Sequence, residues 1–409
     1  METKRLSRRQ FVITGAASAA GAALGPLVIG RAAAQEAVTF GILTPHTGSY
    51  AYAGDLVIKG ATLALEERNF EILGKKLRLV TRDDEAKAAV AVRRLSEIIS
   101  TENVRFFNGN YSSAVGLAEA EIAQKHKVLQ YAAGGSEDFT GSRCGRYTFQ
   151  WSASPYTALK AVIDYVAREM PKAKRWYTFT ADYVFGHSLL KYARAVGAQK
   201  GIEIVGNDNH PLGERQYTQY ITKAIAAKPD VLCLLNAGSD AVTTVRQFQG
   251  YGASGIAVVG PWTMEAEQLR ELAPEMRQGL ILGQNYYPTI DNSVNAAFVA
   301  RYQKKYNSVP AYAAAYGYDS FRTILLAMER AKSTSAQDVI RALEGMKFEG
   351  VLGATTIDPN THQTVRPYFV VKVKPAAQMK TADDFADIVH TGSDAQPKEM
   401  NECKGLGPF

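Results

Sequence analysis

Val104-Arg105-Phe106-Phe107-Asn108-Gly109-Asn110-Tyr111-Ser112-Ser113-Ala114 is the stretch from which the rest of the chain can be read. Val104 to Phe107 is a short apolar run of the kind that forms a buried strand. After Ser113, the apolar residues Val115, Ala118 and Ile122 recur at helical spacing, with Leu117 beside them. The two serines therefore stand where a strand ends and a helix begins. Serine suits a helix N-cap, and the free backbone N–H groups there carry a partial positive charge. A small anion such as a carboxylate fits that place. The same pattern also suits a serine that only caps its own helix.

The surroundings repeat the theme. Val38–Leu43, Leu77–Arg82, Val104–Asn108 and Val128–Ala132 read as strands, separated by helical patterns over Gly54–Phe70, Ala88–Ser100 and Ser113–Lys125. The alternation then restarts. Trp176–Thr180, Glu203–Val205, Val231–Asn236 and Ile256–Gly260 read as strands, and Phe185–Lys200, Tyr217–Lys228 and Asp240–Gly250 as helices. Such alternation implies mostly parallel sheets with helices on both faces. Two blocks imply an α/β fold of two similar lobes, and ligands bind such sheets at the carboxyl ends of the strands. Helical patterns at Ser293–Tyr306, Ala313–Ala331 and Ser335–Leu343 and a strand at Tyr368–Val373 complete the chain. The expected lobes are 35–152 with 287–355, and 153–286 with 356–409, joined by three crossings near Trp151–Pro155, Gln284–Pro288 and Gly353–Asp358. The tail 380–409 is polar and expected to be loosely structured outside Ala382–Val389.

Residues 1–34 read as an export signal. Lys4-Arg5-Leu6-Ser7-Arg8-Arg9-Gln10-Phe11-Val12 resembles a twin-arginine signal, an Ala- and Gly-rich segment follows, and Ala32-Ala33-Ala34 offers a cleavage site near Ala34. The expected location is the periplasm. Removing this segment takes away Lys4, Arg5, Arg8, Arg9 and Arg31 against Glu2, so the formal charge of +7 falls to +3. No basic stripe remains to suggest nucleic acid. Cys233 lies in the apolar run Val231–Leu235 and reads as a core thiol. Cys144 and Cys403 lie in polar surroundings and are expected to pair in an oxidising compartment.

These pieces, in order, resemble a family. They are Phe40-Gly41-Ile42-Leu43…Thr47-Gly48, Gly60-Ala61…Glu67…Asn69, Asp83-Asp84, Gly109…Ser112-Ser113, Ala132-Ala133-Gly134-Gly135-Ser136, Asp182-Tyr183-Val184-Phe185-Gly186, Pro229-Asp230 and Ala315-Tyr316-Gly317-Tyr318-Asp319. The chain is similar to periplasmic solute-binding proteins of the branched-chain amino acid type, components of ABC importers. The resemblance implies a type I two-lobed clamp that captures a small-molecule ligand, as a monomer, and delivers it to a membrane permease. The alternative is a soluble periplasmic sensor that hands its ligand-bound form to a receptor. The family's carboxylate-binding serine matches Ser113, with Ser112 and Tyr111 beside it. The partner loop matches Ala133-Gly134-Gly135-Ser136, and Phe185 stands where an aromatic residue covers the ligand. Tyr52 and Gly238 also fall at the ligand-binding edge.

One position departs from the family. Where branched-chain amino acid binders place an acid for the ligand's ammonium, this chain has Trp262, in Gly260-Pro261-Trp262-Thr263-Met264-Glu265. Glu265, three residues on, reads as out of reach. A buried ammonium without an acid is costly, so the expected ligand is a small carboxylate with an apolar or aromatic body, with branched-chain amino acids second. No enzyme signature stands against this reading. Asp83-Asp84-Glu85 reads as a solvated or capping acidic turn, the six histidines show no zinc spacing, and there is no nucleophile elbow or phosphate loop. No metal, cofactor or catalytic residue is expected. His46, beside the first strand end, is a possible ligand contact or a surface histidine.

Overall fold

The computed structural model describes residues 37–253, 255–393 and 395–409; the export signal read at 1–34 lies outside them. In the first lobe the chain runs β1 (Val38–Thr44), α1 (Gly54–Glu66), β2 (Glu71–Ile72), β3 (Lys75–Asp83), α2 (Ala88–Glu102), β4 (Val104–Asn108), α3 (Ser113–His126), β5 (Leu129–Ala132) and β6 (Thr148–Gln150). These strands form one sheet in the order β2-β3-β1-β4-β5-β6, parallel except for β2. The second lobe follows with α4 (Pro155–Glu169), β7 (Arg175–Ala181), α5 (Val184–Gln199), β8 (Glu203–His210), α6 (Thr218–Ala226), β9 (Val231–Leu235), α7 (Gly238–Gly250), β10 (Ala257–Gly260), α8 (Ala266–Arg270), α9 (Pro274–Arg277) and β11 (Ile281–Gln284).

The chain then returns as α10 (Ser293–Tyr306), α11 (Tyr312–Ala331) and α12 (Ala336–Leu343), whose apolar faces join the first lobe's core. A small antiparallel sheet follows, made of β12 (Lys347–Gly350), β13 (Gly353–Ile357) and β14 (Thr364–Val365). Last come β15 (Tyr368–Val373) and β16 (Ala386–Gly392), both antiparallel, which close the second sheet in the order β16-β15-β11-β10-β9-β7-β8.

β1 is buried along its whole length, as a central parallel strand covered on both faces must be. α1 and α11 approach closely because glycines face each other's backbone. A Cβ on Gly60 would stand 1.9 Å from the Ala314 carbonyl oxygen, and one on Gly317 2.1 Å from that of Val57. Gly109 ends β4 with φ +121, and a Cβ there would lie 2.0 Å from the Leu43 oxygen, so the turn that starts the organising stretch needs glycine.

Two expectations are corrected. Gly353–Asp358 is not a crossing: Gly353–Ile357 is held between two antiparallel neighbours as β13, and the third passage to the second sheet comes after β14, at Arg366–Pro367. In the tail, β16 pairs with β15 over much of the stretch expected to be ordered, Ala382–Val389; the remainder is not loose, for a disulfide joins Cys403 to Cys144 across 5.7 Å between Cα atoms and Arg146 donates to the Gly407 carbonyl at 2.9 Å. The end of the chain is thereby tied to the first lobe. Cys233 is a buried free thiol in β9, its pKa pushed up by burial. Among the described residues no helix is long and apolar enough to cross a membrane.

Candidate functional site

The carboxyl ends of both sheets meet across a cleft. β4 ends at Asn108, and α3 begins at Ser113 with Ser112 at the N-cap in extended conformation. Both serines are buried, and the Ser112 side chain makes no capping hydrogen bond. From the opposite lobe, β7 leads through Tyr183 into α5, which carries Phe185, and β10 leads through Pro261 and Trp262 into the short helix α8. The lobes are in contact. The Tyr50 and Tyr183 hydroxyls share a hydrogen bond of 2.5 Å, Ser188 donates to Ser136 Oγ at 3.2 Å, and Lys191 reaches Glu137 at 3.1 Å. The clamp is therefore closed.

Between the lobes lies a small cavity, partly open to solvent. Tyr52, Tyr111, Ala133 and Gly135 line it from one side, and Phe185, Trp262 and Glu265 from the other, with Asn285 and Tyr312 beside them. Of the residues singled out in the sequence, Tyr52, Tyr111, Ala133, Gly135, Phe185 and Trp262 thus share one wall or another. Ser112, Ser113, Gly134, Ser136 and Gly238 are not among the lining residues. Ser113 stands directly against the Gly134 backbone, since a Cβ on Gly134 would lie 2.9 Å from the Ser113 Cα. Ser136 Oγ accepts from the Asp138 N–H at 3.2 Å and meets Ser188, so it joins the lobes. Gly238, at φ +62, packs where a Cβ would lie 2.7 Å from the Ser49 oxygen and 3.3 Å from the Tyr50 ring, a close interlobe approach. The Ala133 N–H is engaged by Asn110 Oδ1 at 3.1 Å. The loop 133–136 is thus a less open set of donors than its sequence suggests.

Glu265 is the residue the sequence reading misplaced. Pro261 to Met264 turn back rather than extend, and Glu265 becomes the N-cap of α8, its N–H donating to Gln268 Oε1 at 2.9 Å. Its carboxylate then faces the first lobe. Oε1 accepts from the Tyr52 hydroxyl at 3.4 Å and, more closely, from the Tyr111 hydroxyl. A signal was present: Glu265-x-x-Gln268 has the spacing of a capping box. His46 does not line the cavity, and its backbone N–H donates to Asp83 at 3.1 Å. Asp83 and Asp84 cap their own turn, accepting from the Glu85 and Ala86 N–H groups at 2.8 Å and 2.7 Å. Asp84 is nevertheless buried, not solvated as expected for such a turn. Among the described residues no group of three or more His, Cys, Asp or Glu side chains could hold a metal ion.

Residues 37–380 match the family model described as periplasmic binding protein. The chain belongs to the periplasmic binding protein family. This binding protein is 23% identical over 342 residues to a Leu/Ile/Val-binding protein homolog 7 of Brucella suis, covering 79% of this chain and 84% of that protein. Among solved structures it is 34% identical to an amino acid ABC transporter substrate-binding protein of Pseudomonas fluorescens Pf-5, with a TM-score of 0.86, covering 90% of this chain and 99% of the other. A solute-binding protein of an ABC transporter from Rhodopseudomonas palustris BisB5, in complex with 3,4-dihydroxybenzoic acid, shares the fold at 24% identity and a TM-score of 0.80, covering 89% and 99%.

Electrostatically the cleft of this binding protein is an aromatic enclosure around one acid. Burial first, then the nearby Glu267 carboxylate, push the Glu265 carboxyl well above its usual range, against the hydroxyls of Tyr111 and Tyr52 and the Ala313 N–H. Burial and the Glu265 charge raise the Tyr52 and Tyr111 hydroxyls in turn. Trp262 meets Phe185 edge-on with ring centroids 5.9 Å apart, and Tyr111 meets Tyr312 at 5.6 Å. Such walls suit an apolar or flat ligand body.

Proposed function

We propose that the protein is the exported solute-binding component of an ABC importer, which captures a small carboxylate-bearing solute between its lobes and delivers it to a membrane permease. One observation carries this reading: the cavity is lined by both lobes and lies at the carboxyl ends of both sheets, beside the start of α3. Closure brings the Gly135 backbone against Phe185 and Trp262, so a solute held there is enclosed by both lobes. The carboxylate's pole is the side of the cavity beside the start of α3 and the loop after β5, where Tyr111, Ala133 and Gly135 form the wall and Ser113 stands behind it. The protein works in the periplasm after removal of residues 1–34 by way of twin-arginine export, acts as a monomer and performs no chemistry on its ligand. The Pseudomonas fluorescens relative, named for amino acids, supports that class of solute beside simple apolar or aromatic carboxylates.

The test is a thermal-shift screen of residues 35–409 against amino acids, amides and aromatic acids. A true ligand at 100 times its Kd adds about 2.7 kcal/mol of stability, a shift of a few degrees in a chain of this size. No shift with any carboxylate at millimolar concentration would remove the proposal.

A further inference from the structure

Asn285 follows β11 directly, in the second crossing between the lobes, and is 2% exposed. It lines the cavity. Its Oδ1 accepts from the N–H of Ala153, in the first crossing, at 2.8 Å. A backbone N–H can be met only by the amide oxygen, so this bond fixes which way the side chain faces. Nδ2 is then a donor, and it has no acceptor among the described residues. Buried polar groups are almost always hydrogen-bonded, and a buried donor left without an acceptor is costly. Nδ2 therefore marks a place where the cavity's occupant supplies an oxygen. Thr263 Oγ1, another unpartnered atom of the wall, tells less, because it lies against its own Gly260, where a Cβ would stand 1.7 Å away.

Hydrogen bonds tie Asn285 to the carboxylate's side of the cavity. The first crossing is stitched to the end of β5 and the loop after it: the Trp151 N–H donates to the Ala132 carbonyl at 2.7 Å, and the Ser152 hydroxyl donates to that of Ala133. Tyr312, also in the wall, donates to the same Ala133 carbonyl at 3.2 Å. Ala153, the residue that Asn285 holds, comes next in the chain. The loop is short of donors here, since the Ala133 N–H is engaged by Asn110. Gln284, beside Asn285, spends its Nε2 on the Met264 carbonyl. From this geometry we infer that Asn285 binds the solute, donating through Nδ2 to an oxygen of its carboxylate. The donor stands on the hinge rather than on either facing surface. With its backbone in one crossing and its Oδ1 bonded to the other, Asn285 is in place for the carboxylate before the lobes close.

This inference rests on the carboxylate-binding reading above, and its test separates the two. Asn285→Asp keeps an oxygen for the Ala153 N–H and puts a carboxylate oxygen where the donor was. Calorimetry between pH 6 and pH 8.5 uses 4-methylpentanoate, 3-phenylpropanoate and L-leucine, each beside its carboxamide, and every affinity is read as a ratio to wild type at the same pH. At pH 8.5 the variant is expected to bind the carboxylates about 10- to 100-fold more weakly, the size of one charge-assisted hydrogen bond. The loss should shrink as pH falls, because the introduced carboxyl then takes up a proton and donates again. The carboxamides, whose N–H groups can donate to the introduced carboxylate, should lose less. A thermal melt confirms that the variant folds. In 15N-labelled wild type the Asn285 side-chain amide resonances should move on adding the tightest of the three carboxylates, a readout that needs no variant. Wild-type carboxylate affinity across the pH range, or amide resonances that stay still at saturation, would overturn the assignment of Asn285 and leave the clamp reading standing. So would an equal, pH-independent loss of carboxylates and carboxamides, which a merely structural role at the hinge would give. No wild-type binding of any of the three carboxylates would overturn the choice of solute class, and the inference with it.

Discussion

Gly135→Ala probes closure without disturbing the fold. Gly135 does not adopt positive φ, so its backbone accepts alanine. The added methyl would stand 2.8 Å and 2.9 Å from two Phe185 ring carbons and 3.0 Å from Trp262 Cη2. All three neighbours belong to the opposite lobe. Phe185 is 5% exposed and packed between Tyr183 and Trp262, so its ring has little room to retreat. Overpacking of this kind costs about 1–3 kcal/mol. Here the cost falls on the closed state alone, which converts to a loss of roughly 5- to 150-fold in affinity. Calorimetry with the best ligand of the screen measures it, and a thermal melt of the unliganded variant supplies the control. Wild-type affinity would refute the reasoning. So would a drop in unliganded stability as large as the drop in binding, since Gly135 would then be serving the first lobe's own fold.

Three further expectations concern other parts of the molecule. Burial first, and the charges of Asp83 and Glu85, push the Asp84 carboxyl up to about 7, while its Oδ1 stays bonded to the Ala86 N–H. A raised carboxyl stabilises the fold most below its unfolded value of about 3.9 and loses that contribution as pH rises towards 7; chemical denaturation should therefore show wild type losing about 1–3 kcal/mol relative to Asp84→Asn between pH 5 and pH 8, and a pH-independent difference would count against the buried acid. Non-reducing peptide maps should show Cys144 linked to Cys403, with Cys233 alkylated only after denaturation; native alkylation of both outer cysteines would contradict the link. Replacing Arg8 and Arg9 by Lys should stop export to the periplasm, and undiminished periplasmic yield would rule out the twin-arginine route.

Much of the fold was legible because each central strand is a continuous apolar run and each covering helix repeats at 3.6 residues. Val104–Asn108, Ser293–Tyr306 and Tyr368–Val373 have the bounds read from sequence. What escaped was less periodic. β8 continues through Gly206-Asn207-Asp208-Asn209-His210, an edge strand paired only with β7, whose polar residues read as a loop. α4 escaped although Ser154 caps it, accepting from the Thr157 N–H at 3.2 Å, and Pro155 opens it. At the site, the aromatic walls were visible as residues near strand ends. The position of Glu265 was not, because counting along a loop treats it as extended, and the turn through Pro261–Met264 brings the carboxylate back into the cleft. The engagement of the Ala133 N–H by Asn110 depends on a contact 23 residues away in sequence and leaves no local trace.

Capture by closure is tested most directly by small-angle X-ray scattering of residues 35–409 with and without the best ligand of the screen. The contacts of Tyr50 with Tyr183 and of Tyr52 and Tyr111 with Glu265 join the two lobes. Saturating ligand should therefore reduce the radius of gyration and bring the scattering curve to that of the closed structure. Identical curves, at a ligand concentration shown by calorimetry to saturate the site, would contradict capture between two moving lobes.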